Sequence, residues 1–570
     1  MNVVRTALLI FLAQLGVPQQ RPSATVQGVV LKRGVNDPLS KATVRLQGID
    51  SRAPQTYVTT TGDDGRFIFP NAEPGQYRIA ATRDGYVRSE YGQRGPNGPG
   101  MPITLQAGQQ LNDVRLAMGT TGAIHGRVYD TEGRPLANAA VQALKTSYQA
   151  GRRVLTLVQS ALTNDLGEYR LFWLAPGSYY ITAAPEGWER LSGIARPVID
   201  PEGTDDPGAG GMVDEGPLNP GLRGSLLDRT AQAETFLPVY FPGATEERLA
   251  TAIDLRAGAN IGGIDVSLIP ARPRRVRGVV VNGLSGAPAQ GVELMRVTNP
   301  NPSNRRSYEI VDFEKGTFDI RQVIPGSYFL IAASGNLRGR ALIEVGDKDL
   351  ENVTIAVAPG FIVSGRVLIE DGPRNVSISN VQISLSADPP ITGAAELKAQ
   401  TSADGSFTFQ NVAAGNYRMN VAAPPAFGNS YVKSIRLGEI DVLNSGLSVS
   451  SRPESRIEIV LGSNAGALEG RALSREQQPA VNVTVVLVPD SGRRQRAELY
   501  KSAQTDTFGK FRFERIPPGD YRVFAWEDVV SGAWQNPEFL RVYEDRGKPI
   551  QITEGGKQSV DAAIIPLPVQ

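Results

Sequence analysis

The sequence predicts an all-β chain, a tandem array of about five seven-stranded antiparallel β-sandwich modules, and three observations predict it. One pattern of strand, glycine turn, aromatic strand, second turn and tyrosine recurs five times along the 570 residues. Glycine and proline, 61 and 40 residues, make up about 18% of the chain, heavy punctuation that still falls short of low-complexity composition. Helical periodicity is scarce, with Thr245 to Leu255 the one short candidate. At roughly 150 residues per domain the length alone implies about four domains, and the repeat makes the unit smaller.

Each repeat opens on an apolar, β-branched strand around a glycine: Gly28, Gly126, Gly278, Gly365 and Gly470. A turn glycine follows 37 to 41 residues later, as Gly65, Gly167, Gly316, Gly405 and Gly509. An alternating aromatic strand comes next, typified by Phe67 and Phe69, Tyr169, Phe318, Phe407 and Phe409, and Phe511 and Phe513. The second turn carries Gly75, Gly177, Gly326, Gly415 and Gly519, ten residues after the first in every repeat, and two residues further stand Tyr77, Tyr179, Tyr328, Tyr417 and Tyr521.

The period of two puts Phe67 and Phe69 on one face and Arg66 and Ile68 on the other. The aromatic strand and the tyrosine strand are expected to pair as a hairpin across a Pro-Gly reversal. The tyrosine resembles the tyrosine corner of β-sandwiches, whose hydroxyl ties back to nearby backbone, and its role is structural. Further strands such as Ile103–Leu105 with Asp113–Leu116, or Ile550–Ile552 with Val560–Ile564, close each unit at about seven strands.

G-x-V, then T-x-x-x-G-x-F, then P-G-x-Y resembles the carboxypeptidase regulatory-like domain, a prealbumin-like, Ig-like sandwich also grouped with carbohydrate-binding-like folds and the B-type repeats of collagen adhesins. The threonine stands as Thr61, Thr163, Thr401 and Thr505, while Asp312 replaces it in the third repeat, where a remodelled turn is expected. The resemblance implies no peptidase activity. The zinc enzymes that such domains accompany need H-x-x-E and a distant histidine, whereas His125 is the single histidine here and Val128 follows at +3.

Composition excludes more. With no cysteine, disulfides, thiolate metal sites and cysteine nucleophiles are absent. One histidine leaves no two-imidazole zinc centre, and a serine triad would have to use that one as base. The 59 basic and 58 acidic residues cancel, so no field favours nucleic acid. Met1 to Arg5, the apolar run Ala7–Ala13 and Pro22–Ala24 read as a signal peptide over residues 1–24; seven apolar residues do not cross a bilayer, so no membrane span is expected in the mature chain. The expected modules are 25–121, 122–273 with a Gly/Pro-rich insertion at about 197–224, 274–361, 362–465 and 466–570.

Candidate sites are weak one by one. Asp205, Asp206, Asp214 and Glu215 lack calcium-loop regularity, and Asp63 and Asp64 suit a turn. Glu246 and Glu247 are neighbours that point apart on a strand. Ser430 and Lys433 match S-x-x-K without its companion motifs. Basic clusters lie at Arg272, Arg274, Arg275 and Arg277, and at Arg493, Arg494 and Arg496. Aromatic rings are the better lead, because sugars stack on exposed Trp or Tyr. Tyr86, Trp188 and Trp534 fall in corresponding loops and are expected to cluster at one sandwich end, while Trp173 and Trp526 lie within strands and are expected in cores. The function expected is a non-catalytic, exported (periplasmic, cell-surface or extracellular) scaffold, spacer or adhesive protein of the bacterial cell envelope. Its partner is an envelope protein or polysaccharide, with no cofactor, metal or catalytic residue assigned; the alternative is a carbohydrate-binding protein.

Overall fold

The structure, a computed structural model, describes residues 22–49, 55–185, 235–299, 306–370, 378–388, 396–422 and 427–566. These fall into two compact units, one running to Gln93 and resuming over Pro99–Thr120, the other holding Arg94–Gly98 and everything from Thr121 onward. The first unit has one hydrophobic core, from Ala24 to Met118. The second has one in each of four further stretches, Ile124 to Leu268, Val276 to Val357, Val363 to Leu461 and Leu468 to Ala562, and a satellite cluster in the last. The repeated aromatic residues therefore fill five separate interiors, one in each of modules 1 to 5.

Every module is built alike. In module 1, strand Ala24–Lys32 pairs antiparallel with Arg66–Ala72 and parallel with Gln110–Met118. The facing sheet sets Thr43–Gly48 between Thr56–Thr60 and Gly75–Thr82, and the last of these also pairs with Ile103–Leu105. The aromatic strand and the tyrosine strand thus lie in opposite sheets, which corrects the expected hairpin. In modules 2 to 5 too the aromatic strand and the tyrosine strand take different partners and do not pair with each other. The reason is burial: the chain steps from one sheet to the other through the second turn, so that Phe67 and Phe69 meet Tyr77 and Ile79 across the core instead of lying beside them. At least one pairing in each module also departs from the antiparallel expectation. First and last strands run parallel, as in Arg274–Asn282 with Leu350–Pro359, Phe361–Glu370 with Ile457–Gly462 and Gly466–Leu473 with Lys557–Ile565.

That parallel seam explains the opening glycine. A Cβ on Gly470 would overlap the Val560 carbonyl of the last strand and press on the Phe511 ring, and Gly28, Gly278 and Gly365 stand in the same vice. In module 2, Tyr169 takes the phenylalanine's place and donates its hydroxyl to the Ile264 carbonyl at 2.6 Å.

Modules 3 and 5 join their two layers into one continuous sheet, through Leu337 and Arg338 against Pro359 and Ala358, and through Ala525 and Trp526 beside Ile564 and Ile565. Module 5 has a second, satellite core. Its strand Thr484–Pro489 is buried on both faces: Val485 and Leu487 point into the sandwich, while Val486 and Val488 pack outward against Phe524, Trp526, Ala533, Trp534 and Leu540. The link from Glu527 to Gly547 folds over that outer face as two short 3-10 turns and helix Pro537–Arg541. Asn536 caps this helix, accepting from the Phe539 N–H at 2.9 Å, and proline stands at its first position. The helix expected near Thr245–Leu255 is a single 3-10 turn, Glu247–Leu249.

Candidate functional site

The residues that recur in sequence assemble one corner per module. Thr505 is 3% exposed; its hydroxyl donates to the Ala480 carbonyl at 2.7 Å and accepts from the Val483 N–H at 3.0 Å. Thr61, Thr163 and Thr401 make the equivalent pair of bonds. In module 3, Asp312 instead accepts from the Glu314 and Lys315 N–H groups at 3.0 and 2.8 Å, which holds its carboxyl below the usual carboxylate range. The turn there is remodelled: Gly316 N–H reaches back four residues to Asp312, where Gly65, Gly167, Gly405 and Gly509 reach back three. All five turn glycines sit at φ between +62° and +81°, the left-handed region that favours glycine.

The tyrosine hydroxyls close the corner on the other side. Tyr77, Tyr179, Tyr328, Tyr417 and Tyr521 each donate to the carbonyl four residues upstream, at 2.6 to 2.9 Å. Burial raises the Tyr179 and Tyr417 hydroxyls, and pushes Tyr521 up to about 12 against the opposing pull of Arg493. A cation lies over the ring in three modules: Lys145 on Tyr179 at 4.6 Å, Arg296 on Tyr328 at 5.4 Å and Arg493 on Tyr521 at 4.9 Å. In module 4 the nearby cation, Arg340, comes from module 3.

Five members of the basic clusters are engaged in structure, whereas the buried Nε of Arg274 has no hydrogen-bond partner among the described residues. Arg493 bonds Asp490, the Pro518 carbonyl and the Asp520 carbonyl, Arg494 pairs with Glu544 at 2.6 Å, and Arg496 with Glu498 at 2.7 Å. Arg275 and Arg277 converge on Asp319, and Arg277 also reaches Glu351 at 2.6 Å. Lys433 pairs with Glu370, which removes it from any S-x-x-K chemistry. Glu246 pairs with Arg248 at 2.6 Å, whereas burial raises the Glu247 carboxyl, so the two neighbours share no task. Asp64 accepts from the Arg66 N–H at 3.1 Å, a turn contact. His125 sits opposite Arg170 on paired strands. The acidic insertion residues lie outside the described residues.

The aromatic candidates differ in burial. Tyr86 is half-buried against the module 1 core, with the Arg83 guanidinium 5.3 Å from its ring. Trp188 lies outside the described residues. Trp534 is 8% exposed and belongs to the satellite core, its face covered rather than presented. Trp526 is buried as expected, but Trp173 is not: it is 52% exposed at φ +55°, edge-on to exposed Phe172 with ring centroids 5.2 Å apart. A bulge between Leu171 and Leu174 turns it outward. At the same bulge the other modules place Asn71, Gln322, Asn411 and Arg515.

Open clefts include one of 330 Å³ in module 4 beside Asp388, Tyr417 and Ile440, and one of 620 Å³ on module 5 among Glu469, Arg471, Lys510 and Asp561. In the first Asp388 pairs with Arg418 at 2.7 Å, and in the second Arg471 pairs with Asp561 at 3.4 Å. Among the described residues no three His, Cys, Asp or Glu side chains gather as a metal site, and no helix is long and apolar enough to cross a membrane.

Sheet division, parallel seam and tyrosine corner define a tandem β-sandwich protein. Residues 25–119 and 123–197 match the family model of the carboxypeptidase regulatory-like domain, and residues 359–428 match that of the second β-sandwich domain of the NOMO1-like BOS complex subunit; neither is a peptidase domain. Colossin-A of Dictyostelium discoideum is 22% identical over 557 residues, covering 87% of this chain, and the chain spans 4% of Colossin-A. Among solved structures, a streptococcal ancillary pilin is 11% identical at TM-score 0.21, with 59% of this chain and 98% of that one covered. GBS52, the minor pilin of Streptococcus agalactiae, is 12% identical at TM-score 0.23, with 44% and 96% covered. Superpositions this low carry nothing about function.

Proposed function

We propose that this chain is a non-catalytic, exported scaffold or spacer of the bacterial cell envelope that acts through the surfaces of its sandwiches. One observation carries the reading: the residues that the sequence repeats five times are spent on packing and corners, with each tyrosine hydroxyl bound to its own backbone. Repetition of this kind extends reach and sums weak contacts into avidity without a single strong site. Fractionation of cells followed by an affinity pull-down with the full chain tests it. Location in the envelope with a retained envelope partner is expected. A cytosolic location, or turnover of peptide, ester or glycoside panels, overturns it.

A glycan-binding role is the second reading, and the exposed Phe172–Trp173 pair favours it, because the other modules keep polar residues at the bulge. Titration of envelope polysaccharides against tryptophan fluorescence, repeated with Trp173→Ala, decides it. No change with any glycan removes the reading.

A further inference from the structure

Module 2 carries an arm that extends beyond the strand pairing of its own sandwich. Its strands Ala140–Gln149 and Arg152–Leu162 run ten and eleven residues, against six and five in module 1 and six and four in module 5. Among the described residues, Ala140–Leu144 pairs with the next strand of the sheet, while Lys145–Gln149 pairs with Arg152–Thr156 alone. The tip turns through Ala150 and Gly151, both at positive φ. Tyr148, near that tip, packs with the satellite core of module 5 and not with the core of module 2.

The contact is specific in its atoms. The Tyr148 ring meets Phe539 edge-on at 6.0 Å between centroids, and Asn536 Nδ2 donates to the Gly151 carbonyl at 3.0 Å across 385 residues of sequence. Gly532 lies so close that a Cβ there would stand 3.5 Å from that of Tyr148, and a Cβ on Gly151 would press on the Gln535 carbonyl. Glycines at both meeting points let backbone approach backbone.

We propose that this arm is a clasp, an interaction surface of module 2 whose partner is the Glu527–Gly547 link of module 5, and that it keeps the two modules docked in the free chain. A long hairpin end with no further strand beside it presents open backbone edges. Here its one aromatic ring near the tip finds an aromatic surface, and the link supplies the donor for its turn carbonyl. So small a contact is weak between separate molecules, but the covalent connection raises its effective concentration to the millimolar range typical of tethered partners.

The absence of cysteine makes the test clean. In the full chain carrying Tyr148→Cys and Gly532→Cys, the 3.5 Å Cβ separation suits a disulfide, whose Cβ atoms usually lie about 3.8 Å apart. Mild oxidation is expected to give an intrachain crosslink, seen as faster migration without reductant, while each single-cysteine chain stays unchanged. Crosslinking no faster than in urea, or only between chains, overturns the clasp. Tyr148→Ala provides a second measurement that does not depend on the cysteines. Hydrogen exchange across Val529–Arg546 is expected to rise about three- to tenfold, the worth of one aromatic pair, with the amides of Val485 and Val523 unaltered. Unchanged exchange over that segment overturns the clasp as well.

Discussion

Thr505→Val isolates the corner hydroxyl. Valine matches threonine in shape, so little cavity forms; what disappears is the hydroxyl between the Ala480 carbonyl and the Val483 N–H, at a residue that is 3% exposed. An unmet buried donor costs about 1–3 kcal/mol and the acceptor somewhat less, so module 5 should lose about 2–4 kcal/mol of local stability. A five-module chain does not unfold in two states, and one melting temperature blurs the effect. Native-state hydrogen exchange resolved over 480–516 is the appropriate assay, and about a hundredfold faster exchange is expected there, at 1.4 kcal/mol per factor of ten. Thr505→Ser keeps the hydroxyl and drops one methyl, so it should cost about 1 kcal/mol. If the valine variant exchanges no faster than the serine variant, the hydrogen-bond account of the repeated threonine is refuted.

Gly470→Ala drives a methyl into the Val560 carbonyl and the Phe511 ring, and calorimetry should show module 5 destabilised by about 3 kcal/mol or more. Tyr521 and Tyr500, both raised to about 12, define an alkaline limit. An unfolded tyrosine ionises near pH 10, so between 10 and 12 the unfolded chain releases a proton that the folded one retains. Stability fully present below pH 10 is therefore lost on the order of 2 kcal/mol per tyrosine as pH rises to 12. Circular dichroism followed with absorbance at 295 nm checks it, and ionisation of these rings near pH 10 in an intact fold would sink the argument. Trp173→Asn should raise stability by about 0.5–1 kcal/mol by relieving a bulky residue at φ +55°, read as a small upward shift in melting. Trp534→Ala should empty the satellite core at a local cost of about 3–5 kcal/mol, seen as faster exchange over Val486–Val488.

The repeat was legible because the glycines and rings answer to local rules: a left-handed turn at Gly65, an aromatic inward face at Phe67 and Phe69. Strand partners were not legible, since alternation along Phe67–Phe69 and Tyr77–Ala81 reads the same whether the strands lie side by side or face each other across a core. Trp173 was misplaced because a bulge adds one residue and ends the period of two at Leu171. The burial of Trp534 had a signal that went unused. Val483–Val488 is an unbroken apolar run apart from Thr484, and a strand without alternation is covered on both sides. The arm of module 2 left only a faint trace, an alternating stretch too long for its neighbours.

The parallel seam between first and last strands has a mechanical side. Chain enters each module along one strand and leaves along its parallel neighbour, so tension applied at both ends slides the two past each other. Their hydrogen bonds must then yield together rather than one at a time from an end. Each module therefore resists stretching along its own seam.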